Sequence, residues 1–158
     1  LLEAIFVLEC VAPKYLHVDR FLPPVPIRVV VDHEREDIRN DNTSQLFDRV
    51  LKDCNSLNIL NQPHMKQELF PAMLNTCQSL AEKHTLSIRK NAITKARKSL
   101  MGERSRLVEL QKVNPAIKSD EITACEHELH QLINTIRDAR LRLDAMRIII
   151  KGDMKQKR

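Results

Sequence analysis

Apolar residues fill both alternating faces of the opening stretch, with Leu2, Ala4, Phe6 and Leu8 on one side and Leu1, Ile5 and Val7 on the other. A strand wetted on one face would alternate apolar with polar, so the pattern predicts a strand over Leu1–Glu9, covered on both sides and set inside a sheet. Between Val11 and Pro26, Pro13, Pro23, Pro24 and Pro26 remove backbone donors and fix φ. This predicts an extended crossing loop pinned by Tyr15, Phe21 and Leu22, followed by a second strand over Ile27–Asp32. Beyond the charged turn His33–Asp37 and the cap-rich run Asn40–Ser44, Leu46, Phe47, Val50, Leu51, Cys54 and Leu57 recur at helical spacing. They predict a short amphipathic helix lying across the sheet.

Pro63 suits the first turn of a helix, whereas Pro71 lies deeper and is expected to kink or split the helix near Phe70. From Ala72 nothing stops the helix before Asn114–Pro115, since Gly102 in a helix interior costs only about 1 kcal/mol. Ser119 is read as the cap of a last helix, with Asp120 and Glu121 in its positive first turn. Ile122, Cys125, Leu129, Leu132, Ile136, Ala139, Leu143 and Met146 then follow in three-four alternation. On the preceding helix Leu86, Ile93, Leu100 and Leu107 repeat every seven residues, backed by Ile88, Ala92, Ala96 and Leu110. Because only Asn114–Lys118 separates the two helices, these stripes predict the seam of an antiparallel hairpin. After Leu143 the period becomes two, with Met146, Ile148 and Ile150 opposite Arg147, Ile149 and Lys151, which predicts a closing strand.

The sum is an α+β fold, a small antiparallel or mixed three-stranded sheet with a short helix and a long antiparallel helical hairpin. One domain is expected: strands, proline-rich loop and short helix in 1–60, hairpin in 61–144, closing strand in 145–151, and a polar, frayed tail in 152–158. The first strand is already under way at Leu1, so an upstream neighbour is expected in the natural protein. No signal peptide is visible, and no apolar run approaches the roughly 20 residues that a membrane span needs. Cys10, Cys54, Cys77 and Cys125 form no CxxC pair and are expected to be reduced, mostly buried thiols of a cytosolic protein.

Charge changes the picture more than composition does. The net charge is +5, yet residues 61–113 carry 10 Lys/Arg against 4 Asp/Glu, so the basic excess sits in the long helix. From Lys83 to Arg106 there are eight Lys/Arg and one acid, Glu103. Lys83, Lys90, Arg97 and Arg104 recur every seven residues as one stripe beside the seam, a candidate contact for phosphates or an acidic protein surface. The competing reading is a solvated face that keeps the hairpin soluble, with Glu126, Glu128, Asp138 and Asp144 on the facing helix neutralising part of it. Aromatic residues are only 3% of the chain, poor material for base stacking.

Other chemistry is thinly supported. Gly102 and Gly152 are isolated and no GK[ST] occurs, so the sequence offers no phosphate-cradling loop and no catalytic, cofactor or metal residues are assigned. Cys125, His127 and His130 invite a zinc reading, but Cys125 falls on the apolar stripe while His127 points elsewhere. The PxxP spacing Pro23-Pro24-Val25-Pro26 could enter an aromatic groove, against the plainer reading of a rigid lead-in to the second strand.

Several stretches carry a family resemblance: Leu1–Glu9, Val11-Ala12-Pro13, Asp19-Arg20-Phe21-Leu22-Pro23, Pro26-Ile27-Arg28-Val29, Val113-Asn114-Pro115, Ser119-Asp120-Glu121 and Arg142–Ile149. Together they resemble the C-terminal domain of the RapA family of bacterial RNA-polymerase-associated ATPases of the Swi/Snf class, over nearly the whole chain. The resemblance implies a full-length, helicase-like ATPase, using ATP and Mg in an upstream motor, that activates transcription by recycling RNA polymerase. It implies RNA polymerase core or holoenzyme and the upstream domains as partners, and a bacterial cytoplasmic, nucleoid-associated setting. Three roles stay open for this segment: a polymerase-docking or regulatory module, a DNA- or RNA-backbone-binding module using the basic hairpin, and a scaffold for the upstream domains.

Overall fold

In the computed structural model, residues 1–38, 52 and 57–150 are described. Strands β1 (Leu2–Glu9), β2 (Val25–Val31) and β3 (Arg140–Ile148) form one antiparallel sheet in the order β2-β1-β3. The two-faced apolar strand is thus the central one, as its pattern requires. The helices are α1 (Leu57–Leu60), α2 (Phe70–Val113) and α3 (Ser119–Arg137), with a π-helical turn at Met65–Leu69 leading into α2. The expected helix from Leu46 to Leu57 lies outside the described residues except at Lys52, which is exposed and not helical, and at Leu57, which opens α1; the tail 152–158 also lies outside them. The chain divides into two compact units, one of Leu1–Phe6, Ile27–Lys83 and Leu143–Arg158, the other of Val7–Pro26 and His84–Arg142.

In the first unit, Leu1 and Ile149 exchange backbone hydrogen bonds at 2.8 and 2.9 Å, the reciprocal pairing of antiparallel neighbours. β2 begins at Val25, two residues before the expected start, and takes in Pro26. As an edge strand it can leave a missing N–H on its outer side. Asp32 shapes the following turn, its Oδ1 accepting the N–H groups of Glu34 at 3.0 Å and Glu36 at 2.8 Å, with Arg35 left-handed at φ 70°. Pro63 lies in the first helical turn. The disturbance expected from Pro71 takes the form of the π turn: Phe70 N–H donates to the Met65 carbonyl five residues back. Widening this turn makes room where the proline ring would crowd the carbonyl four residues before it. Met73, Cys77 and Ala81 of α2 are buried.

In the second unit, two 3₁₀ turns, Lys14–Leu16 and Val18–Arg20, flank His17 at φ 43°, and they bury Leu16 and Val18. These residues and Leu22 anchor the loop. Tyr15, expected as an anchor, is 64% exposed, its hydroxyl reaching only Gln131 Oε1 at 3.4 Å. The helical hairpin is antiparallel: Gln111 Nε2 donates to the Ile117 carbonyl near the turn, Cys125 Sγ to the Leu100 carbonyl, and Arg89 Nη2 to the Ala139 carbonyl at 2.7 Å.

The buried face of that hairpin differs from the expected seam. On α2 it carries Thr85, Ala92 and Ala96, while Leu86 is 66% exposed and Ile93, Leu100 and Leu107 are half-buried at its margin. Small side chains let backbones approach closely, so the packed face is rotated away from the row of large residues by under one residue's step of about 100°. On α3, Cys125, Leu132, Ile133 and Ile136 are buried, whereas Ile122 and Leu129 are half-buried.

α3 ends at Arg137, and β3 begins at Arg140, several residues before the expected strand start. Arg140-Leu141-Arg142-Leu143 already alternates exposed with half-buried, so Leu143 belongs to the strand although its spacing from Ala139 also fits a helix. The cap of α3 is Lys118, not Ser119. Its extended backbone N–H donates to Glu121 Oε1 at 3.3 Å, while Ser119 Oγ accepts from Gln111.

Candidate nucleic-acid interface

The basic run lies on α2 because nothing between Ala72 and Val113 interrupts the helix, and the helix sorts its cations by angle. Lys83, Lys90, Arg97 and Arg104 are all exposed, but they do not share one role. Arg104 Nε meets Glu126 Oε1 of α3 at 2.5 Å, so one member of the stripe ties the hairpin together. Arg106 holds Glu103 through two nitrogens, at 3.0 and 2.5 Å, and this hydrogen-bonded guanidinium keeps the Glu103 carboxyl below the usual range. Arg89, half-buried, spends Nη2 on the Ala139 carbonyl just past the end of α3, and its buried Nε finds no partner among the described residues. That is a favourable place for a cation, beside the negative end of the helix dipole.

Lys90, Lys95, Arg97 and Lys98 are exposed and make no ion pair with the described residues. Lys95 and Lys98, which lie off the seven-residue stripe, share the solvent side with Lys90 and Arg97, opposite the side buried by Ala92 and Ala96. Lys83, within the first unit, is also exposed.

Cys125 turns its thiol to the Leu100 carbonyl at 3.4 Å, whereas His127 and His130 are exposed, so the three do not converge. Burial pushes the thiols of Cys10 and Cys125 up, and that of Cys77 up to about 11. Gly102 meets nothing where a Cβ would stand, so it serves no close approach in the helix. The four prolines of the loop are exposed, with Pro26 taken into β2.

One cluster escaped the sequence reading. Glu3, buried on central β1, receives Arg28 from β2 and Arg147 from β3, and the three line a concavity of about 310 Å³ with Ile5, Ala145 and Met146. The available signal was a carboxylate near the start of a strand whose only other charge, Glu9, is its last residue; buried among apolar neighbours, such a group is tolerated only when paired.

Among known proteins, the profile of the RNA polymerase recycling family C-terminal domain matches residues 1–151. RNA polymerase-associated proteins RapA from Proteus mirabilis, Pectobacterium atrosepticum and Cronobacter sakazakii are 34%, 33% and 35% identical over 150 residues. The alignments take in 95% of this chain but only 16% of each relative. The length of the match, together with a buried core laid out along it, assigns this chain to the RNA polymerase recycling family, as its C-terminal domain.

Proposed function

We propose that this segment is the non-catalytic docking and regulatory module of an ATP-dependent RNA polymerase recycling factor. In this reading the factor releases polymerase from nucleic-acid complexes and thereby stimulates transcription. The observation that carries the proposal is the family match across residues 1–151, whose relatives are named RNA polymerase-associated. ATP binding and hydrolysis with Mg are placed in the part of the relatives that this chain does not cover. Both glycines are isolated in the sequence and no phosphate-cradling motif occurs, which supports that division. Polymerase core or holoenzyme and the upstream domains are the proposed partners, and the bacterial cytoplasm the proposed location. Among the described residues no helix is long and apolar enough to cross a membrane.

Affinity capture with the purified chain tests the reading: polymerase core should be retained, and ATP should neither bind nor be hydrolysed. Failure to retain polymerase would leave the scaffold role. Saturable ATP binding abolished by substitutions in this chain would overturn the non-catalytic assignment.

A further inference from the structure

We propose that the solvent face of α2 from Ser87 to Lys98, carrying Lys90, Lys95, Arg97 and Lys98, is a contact surface for the phosphate backbone of duplex nucleic acid. The inference rests on charge and geometry within the second unit and is independent of the polymerase reading. Between Glu82 and Glu103 the chain carries Lys83, Arg89, Lys90, Lys95, Arg97 and Lys98 and no acid. On the antiparallel partner, Leu129–Arg137 holds no carboxylate and contributes Arg137, and the acids that flank this stretch, Glu128 and Asp138, make no ion pair with these cations. The four cations named are thus held in no ion pair among the described residues, unlike Arg104 and Arg106, which are held by Glu126 and Glu103. No existing ion pair has to break before they meet an anion.

Spacing fits a regular polyanion. Lys90 to Lys98 covers about 12 Å of helix axis, and a duplex presents one phosphate per roughly 1.7 Å, about seven over that length, so each cation can take a different phosphate. An acidic protein surface fits less well. Protein interfaces centre on buried aromatic or apolar anchors with a polar rim. Here the centre is charged, and the exposed apolar residues, Leu86 and Met101, stand at the ends, about 22 Å apart. The chain has no Phe, Tyr or Trp after Phe70, so the face has no stacking platform for unpaired bases.

The test is fluorescence anisotropy of the 158-residue chain with mixed-sequence duplex DNA, duplex RNA and single strands between 50 and 200 mM NaCl. Four contacts predict a log–log salt slope near −3.6 on duplex and about a hundredfold loss of affinity across that range. They also predict no preference among sequences and none for single strands. Substituting Lys90→Gln, Lys95→Gln, Arg97→Gln and Lys98→Gln together should weaken duplex binding at least tenfold at 50 mM and flatten the slope by about 3.6, whereas Lys112→Gln should change neither. Glutamine has a helix propensity close to that of the residues it replaces, so the circular dichroism should be unchanged. Should the quadruple variant lose helicity, the pairs Lys90→Gln/Arg97→Gln and Lys95→Gln/Lys98→Gln should each flatten the slope by about half as much. Equal slopes for duplex DNA and RNA support backbone contact, and a strong preference for single strands overturns it. The proposal also fails if the parent chain does not bind, if the variants bind as the parent does, or if they lose only capture of an acidic protein.

Discussion

Replacing Ile136 by Ala tests where the hairpin is packed. Ile136 is 0% exposed, and its neighbours one turn away, Leu132, Ile133 and Ala139, carry buried apolar side chains. The change removes three carbons, worth roughly 2.4 kcal/mol at about 0.8 kcal/mol per buried CH₂. The residual cavity adds about 24 cal/mol per Å³, and the better helix propensity of Ala returns a few tenths. The expected loss is about 3 kcal/mol, within the roughly 2–5 kcal/mol range of such truncations. Leu86→Ala should cost under about 0.5 kcal/mol, the scale of surface changes, although the heptad pattern puts Leu86 in the seam. Urea unfolding followed by ellipticity at 222 nm gives both values from midpoints at a shared slope. A loss under about 1 kcal/mol for Ile136→Ala, or above about 2 kcal/mol for Leu86→Ala, would refute this placement of the packed face.

Arg28→Ala/Arg147→Ala should destabilise by about 3–5 kcal/mol in the same assay, because it leaves the buried Glu3 carboxylate alone; Glu3→Gln should cost less, since the arginine side chains are 28% and 43% exposed against 4% for Glu3. Arg104→Ala should cost under about 1 kcal/mol, and the cost should shrink in 0.5 M NaCl, because its pairing with Glu126 is half-exposed on both sides. With its thiol pushed up to about 11, Cys77 should resist Ellman's reagent at pH 7.5 until the chain is unfolded. The folded state keeps that proton where the unfolded chain, titrating near 9, has released it, so the contribution of Cys77 is full below about pH 9 and fades as pH rises through about 11. Thermal melts at pH 8 and 10.5 should show this decline, and Cys77→Ala should flatten it.

Elements whose signal is carried by large residues were readable from the chain. Two apolar faces marked β1 as the central strand, and Leu132 and Ile136 marked the packed side of α3. The packed side of α2 was not readable in this way, because Thr85, Ala92 and Ala96 weigh little in any search for hydrophobic period while Leu86 weighs a great deal. Leu143 satisfies a helix spacing from Ala139 and a strand alternation from Leu141, so periodicity alone could not place the end of α3. The basic run was plain in the sequence, but its division was not. That Arg104 belongs to Glu126 while Lys95 and Lys98 join Lys90 depends on how the hairpin pairs and which way the helix is rotated, and neither is a property of spacing.

The rung of Glu3 between Arg28 and Arg147 also bears on which alignments of the sheet are allowed. A strand that is apolar on both faces can slide by one residue and still bury apolar side chains on each side, so hydrophobicity alone discriminates weakly between pairings of β1. A single carboxylate removes that tolerance. Shifted by one position, Glu3 would turn to the face lined by Leu2, Ala4, Phe6 and Leu8 and leave both arginines behind, at the cost of an unpaired buried charge. The rung therefore acts against misaligned sheets at least as much as it stabilises the native one, and its loss should first appear as a mixture of strand alignments during refolding.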